Sequence, residues 1–135
     1  MMILDHIGIA VRNLDEAKSM YEKILQKTAY HEETIVSQGV RVAFFKTGED
    51  SKIELLEGLT AESPIAKYIE RKGEGIHHVA YLVEDIKAEI ERMKVEGFQP
   101  LQEEPKMGAG NKLVFFFHPK STGGVLTELC QKIKD

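Results

Sequence analysis

The sequence predicts an α+β fold made of two tandem modules within one domain spanning residues 1–135. Two observations carry this expectation. Strand-type alternation, helix-type periodicity and two further apolar strands follow one another, and at Gly75 the same order starts again. A shift of 72 residues also places His6 on His78, Val11 on Val83, Leu14 on Ile86 and Phe45 on Phe117. A shift of 74 brings "IELL" onto "TELC" and Glu54 onto Glu128. Matching halves point to modules related by a pseudo-twofold. No Pro/Gly-rich linker divides them, so module one covers about 1–60, a connecting helix about 63–73, and module two about 74–135.

The elements follow in order. Ile3 to Val11 alternates with period two, with His6, Gly8 and Ala10 on one face and Ile7, Ile9 and Val11 on the other. Asn13 with Glu16 three residues later has the form of a capping box and opens a helix to about Gln26. Leu14, Ala17, Tyr21, Ile24 and Leu25 give that helix one apolar stripe. "VRVAFF" (40–45) and "KIELL" (52–56) are strands joined by a turn around "TGEDS". Ser63-Pro64 caps and starts the connecting helix, which ends near Gly73. In the second half "GIHHVAYLV" is a strand, Asp85 caps a helix to about Glu96 that stops at Gly97, and "KLVFFF" (112–117) and "GVLTEL" (124–129) are strands. The weakly patterned stretches at 30–35 and 100–105 leave room for one further strand in each half.

Composition narrows the function classes. Apolar residues make up 42% and charged residues 30%, an ordinary globular balance with enough apolar surface for a core. Cys130 is the only cysteine, so no internal disulfide forms, which suits a cytoplasmic location. The N-terminus lacks the pattern of a signal peptide, and no apolar run approaches the ~20 residues that span a bilayer. A net charge of -4 argues against nucleic acid as the main partner.

The aligned halves single out His6, Glu54, His78 and Glu128, one His from the first strand and one Glu from the last strand of each half. Ionised carboxylates in a sheet need a partner or a cation. Two His and two Glu converging on one point form a set of donors for a divalent transition metal, and mixed N/O ligation suits Co²⁺, Mn²⁺, Ni²⁺ or Zn²⁺. His77 faces away with Val79 and Tyr81 and is read as structural or as a support to a ligand, and Cys130 as a small strand residue.

The segments "LDHIGIAV", "KIELLEGL", "SPIAKYI", "GEGIHHVAYLVEDI", "EEPKMGAGNK" and "FFFHPKSTGGVLTEL", in this order, resemble the methylmalonyl-CoA epimerases of the vicinal oxygen chelate superfamily over nearly the whole chain. The resemblance implies two βαβββ modules whose curved mixed sheets enclose a metal site, usually in a homodimer. Carried over by motif, it implies His6, His78 and Glu128 as ligands, with Glu54 as the fourth. It also implies an acyl-CoA substrate, epimerised through α-proton abstraction and a metal-stabilised enolate, with Glu128 as the better candidate base and Glu54 or a metal-bound water opposite. Lys106, Lys112 and Lys120 lie on loops and strand ends and are candidates for the coenzyme A phosphates. Some relatives carry a second carboxylate two residues beyond the Val of "QGV"; here that position is Val42. Glyoxalase I, with a His-Glu-His-Glu site, is the runner-up. An extradiol dioxygenase and a non-catalytic ligand-binding protein of the same fold are further alternatives.

Overall fold

The structure, a computed structural model, describes residues 2–133; positions 1, 134 and 135 of the expected domain lie outside the described residues. The chain divides into two compact units, His6–His77 and Met1–Asp5 with His78–Asp135. The elements are β1 (Ile3–Ala10), α1 (Leu14–Leu25), β2 (His31–Ile35), β3 (Val40–Lys46), β4 (Lys52–Gly58), α2 (Pro64–Lys72), β5 (Gly75–Leu82), α3 (Ile86–Val95), β6 (Lys106–Gly108), β7 (Lys112–Phe117) and β8 (Thr127–Lys132). Their order is βαβββ, a connecting helix, then βαβββ again. Among the described residues no helix is long and apolar enough to cross a membrane.

In the unit His6–His77 the strands run β2-β3-β4-β1. β1 is parallel to β4, and the β2/β3 and β3/β4 pairs are antiparallel. α1 covers one face, where Leu14 and Ala17 pack with Val11, Ala43, Phe45 and Leu55. Its start is capped as the sequence predicts: Asn13 Oδ1 accepts from the Glu16 N–H at 3.0 Å. Ile24 departs from the expected stripe and is 60% exposed. At about 100° per residue it lies at the rim of the arc centred on Leu14, Tyr21 and Leu25. Ser63 caps α2, and Gly58 lets that cap come close, because a β-carbon there would collide with Ser63 Oγ.

The other unit repeats the plan, with strands β5-β8-β7-β6 and α3 on one face. Ile86, Ile90 and Met93 of α3 pack against Phe115, Phe117 and Leu129, all buried. Two strand limits differ from expectation. β8 begins at Thr127 rather than Gly124, because Gly123 (φ 70°) and Gly124 (φ 92°) close a tight turn in which the Gly124 N–H reaches Pro119 O at 2.7 Å. The short strand expected at 100–105 lies instead at Lys106–Gly108, and Pro100 forms only an isolated bridge to Phe117. Pro100 and Pro105 have no N–H to give to a ladder. In the first module the further strand forms where there was room for it, at His31–Ile35.

The repeat extends to the way each helix is seated. Glu57 Oε2 accepts from the Leu14 N–H at 3.0 Å, and Gln131 Oε1 accepts from the Ile86 N–H at 2.8 Å. Each acceptor lies three residues after the Glu singled out in its module, and an odd step along a strand reverses the face. One strand thus carries a helix anchor on one face and Glu54 or Glu128 on the other.

A buried ion pair joins Asp5 to Lys112, Nζ to Oδ2 at 2.7 Å. Removing one member of such a pair leaves a charge without its counter-ion in low dielectric. Lys112→Met should therefore lower unfolding stability by about 3–5 kcal/mol. The double variant Asp5→Leu/Lys112→Met should recover much of that loss, as read by urea denaturation.

Candidate functional site

Each unit holds one imidazole–carboxylate pair on the sheet face opposite its covering helix. In the unit His6–His77, His6 Nδ1 lies 3.1 Å from Glu54 Oε2. In the other, His78 Nε2 lies 3.0 Å from Glu128 Oε1. All four residues are buried. Parallel pairing produces this geometry: Gly8 is the register partner of Glu54, and Ala80 of Glu128. The His is two residues earlier on the same strand in both cases, so both side chains share a face. The neighbouring antiparallel strand adds a phenylalanine in each unit, Phe44 across from Glu54 and Phe116 across from Glu128. Phe116 meets the His78 ring edge-on at 5.6 Å between centroids. The residues level with the two carboxylates are both small, Gly8 and Ala80.

The donor chemistry of each pair fits a divalent transition ion: one neutral imidazole nitrogen, one carboxylate oxygen, and apolar walls that limit water. Without a cation, a hydrogen bond between imidazole and carboxylate meets part of the cost of burying them.

The three lysines fall in different settings. Lys106, at the start of β6, and Lys120, in the turn before β8, are exposed. Lys112 heads β7 but is buried, and its ammonium is committed to Asp5. Lys112 thus stands at a strand end as expected, but the strand turns it inward, where the carboxylate holds it away from a phosphate. The sequence reading does not single out Asp5. The available signal was a lone acid inside an apolar strand, "ILDHIG". His77 packs edge-on against Tyr68 at 4.7 Å, and Tyr68 donates to Ile76 O at 3.0 Å. Cys130 is buried, with Sγ 3.6 Å from Tyr81 O. Val42 is fully buried in β3 and pairs with Leu56 on one side and Glu33 on the other. An open cavity of about 470 Å³ lies against α1, among Arg12, Tyr21 and Glu74, on the other side of the sheet from Glu54.

Comparison with known proteins bears on the family and the fold. Residues 5–116 match the model of the Glyoxalase/Bleomycin resistance protein/Dioxygenase superfamily. An ethylmalonyl-CoA/methylmalonyl-CoA epimerase of Cereibacter sphaeroides is 42% identical over 95% of this chain and 96% of its own length. The crystal structure of hypothetical protein BH1468 from Bacillus halodurans C-125 is 46% identical with a TM-score of 0.95, covering 99% of this chain and 96% of that one. A variant of the Streptomyces coelicolor methylmalonyl-CoA epimerase, in complex with 2-nitronate-propionyl-CoA, superposes with a TM-score of 0.90 at 34% identity, covering 98% of each chain. With two βαβββ modules, a His–Glu pair in each, and relatives matched over nearly their full length, the chain belongs to the methylmalonyl-CoA epimerase family of the Glyoxalase/Bleomycin resistance protein/Dioxygenase superfamily.

Proposed function

We propose that the protein inverts the carbon between the thioester and the carboxylate of methylmalonyl-CoA, as a single-domain isomerase of the cytoplasm. The support is a buried His–Glu pair repeated in both modules of a chain that is 42% identical to an epimerase of that substrate class. His6, Glu54, His78 and Glu128 together hold one divalent ion, with Co²⁺, Mn²⁺, Ni²⁺ and Zn²⁺ all matched to the donor types. The sequence repeat supports using both pairs at once, since each half brings the same two donors at equivalent positions. The subunit works as a homodimer. Lys106 and Lys120, exposed on the second module, meet the phosphates of the coenzyme A tail.

The residues divide the work. When bound, the ion supplies Lewis-acid polarisation of the thioester and carboxylate oxygens. Glu128 takes the α-proton, and the electron pair left on carbon passes to the thioester oxygen as an enolate. A proton returned to the opposite face completes the inversion. His78, 3.0 Å from Glu128, orients that carboxylate, and Phe116 beside the imidazole keeps water from the pair. Incubating metal-loaded protein with one epimer of methylmalonyl-CoA, and separately with methylglyoxal plus glutathione, tests the reading: inversion of the first and no turnover of the second are expected.

Elemental analysis should find about one divalent ion per subunit in wild type and markedly less in His78→Ala. Metal retention should fall as pH is lowered, because protons compete for the imidazoles and carboxylates. Undiminished metal in the variant counts against His78 as a ligand.

Glu128→Gln keeps an oxygen but loses the proton acceptor. It should fold, hold part of its metal, and turn over at least about 10²–10⁴-fold more slowly. Near-normal inversion in this variant removes Glu128 from the mechanism.

A further inference from the structure

Glu128 has two neighbours level with it, and they differ in kind. On the β5 side the register partner is Ala80, and on the β7 side it is Phe116. Residues directly across from each other on paired strands share a sheet face, with β-carbons about 4.5–5.5 Å apart in an antiparallel pair. The row Ala80, Glu128, Phe116 therefore lies on the face that bears His78. The next row on that face is Leu82, Cys130 and Val114. Ala80, Cys130 and Val114 are buried and form one apolar cluster. Phe116 packs on that cluster and meets the His78 ring at 5.6 Å, yet it is only half-buried. Part of the ring beside the His78–Glu128 pair is thus open to be covered.

We propose that Phe116 sets the size of the α-substituent that the protein accepts, restricting its substrates to α-alkylmalonyl-CoA thioesters whose alkyl group is short. This rests on the epimerase reading above, with Glu128 as the base. Every residue it invokes belongs to the unit that contains Glu128.

The working distance of a base fixes where the α-carbon stands. A carboxylate takes a proton from an atom about 3 Å away. His78 Nε2 is 3.0 Å from Glu128 Oε1, and the Phe116 ring flanks that imidazole. A group one bond beyond the α-carbon is then within contact range of the ring. Besides hydrogen, the α-carbon bears a thioester, a carboxylate and an alkyl group. The first two carry oxygens that lose hydrogen bonds against a phenyl ring. The alkyl group gains by covering apolar surface. It is therefore the substituent that matches Phe116. Ala80 and the buried cluster behind the ring leave it no space into which to retreat, because a close-packed interior does not yield to an added methylene. Two other apolar side chains are rivals for the role. Leu126 is half-buried, but it precedes the first residue of β8 and is not level with Glu128. Phe44, level with Glu54 in the other unit, packs on the rings of Tyr30 at 5.9 Å and His31 at 5.3 Å.

The test measures kcat/KM of metal-loaded full-length protein for single epimers of methylmalonyl-CoA and butylmalonyl-CoA. If wild type leaves methylmalonyl-CoA unchanged, the epimerase reading itself fails. With that turnover established, wild type should handle butylmalonyl-CoA at least about 10-fold less efficiently, since one ill-fitting methylene in an apolar pocket is worth about 10–200-fold. Phe116→Ala should raise the butyl-to-methyl ratio of kcat/KM by about 10–200-fold, and Phe116→Leu should raise it by less. The ratio separates the two roles open to the ring. A side chain that only supports His78 lowers both substrates by the same factor when truncated and leaves the ratio in place. Phe116→Leu, the milder change, carries the test if Phe116→Ala does not fold, as read by melting temperature. Equal use of both substrates by wild type overturns the proposal. So does an unchanged ratio in folded Phe116→Leu, or a shift that appears in Leu126→Ala or Phe44→Leu and not in the Phe116 variants.

Discussion

A carboxylate buried in a sheet has to be met by a partner, and in each unit of this protein the partner is an imidazole on the neighbouring parallel strand. The register makes this possible. Glu54 lies level with Gly8 and Glu128 with Ala80, each two residues beyond its histidine. A slip of one residue would turn either carboxylate toward the helix-covered face, into a cluster of apolar side chains. Much of the rest of each unit can be read as what holds that register.

The helices contribute directly. Glu57 and Gln131 receive the first free N–H of α1 and α3, satisfying a donor that the helix itself cannot use. They belong to the same strands as Glu54 and Glu128 and point the other way. The seat of the helix and the aim of the carboxylate are therefore set by one backbone segment, and Glu57 is held in turn by Arg41 at 3.2 Å. Phe45 and Leu55 in one unit, and Phe117 and Leu129 in the other, fill the space under the helices and make any tilt of these strands costly.

The modules share the pairs and the anchors but differ elsewhere. Glu33 and Lys106 occupy matching places across from Val42 and Val114, with opposite charge. Asp5 and Lys112 form a buried ion pair in one unit. Equivalent places in the two modules thus carry unlike groups.

The sequence by itself determined the element order, the caps at Asn13, Ser63 and Asp85, and the four candidates His6, Glu54, His78 and Glu128, because these depend on local periodicity and on a repeat visible in the chain. It also determined that the last strand of each half would carry the Glu. Only the tertiary structure decided which His meets which Glu, since pairing within a module depends on the parallel register and not on spacing along the chain. It decided that Lys112 turns inward, because Asp5, 107 residues away in the chain, supplies the counter-charge. It likewise decided that β8 starts late, because two left-handed glycines bend the backbone before Thr127. The β2/β3 register also places Glu33 across from Val42. Periodicity tells which face of a strand a residue occupies; which residues are neighbours on that face is set by hydrogen bonds between segments far apart in sequence.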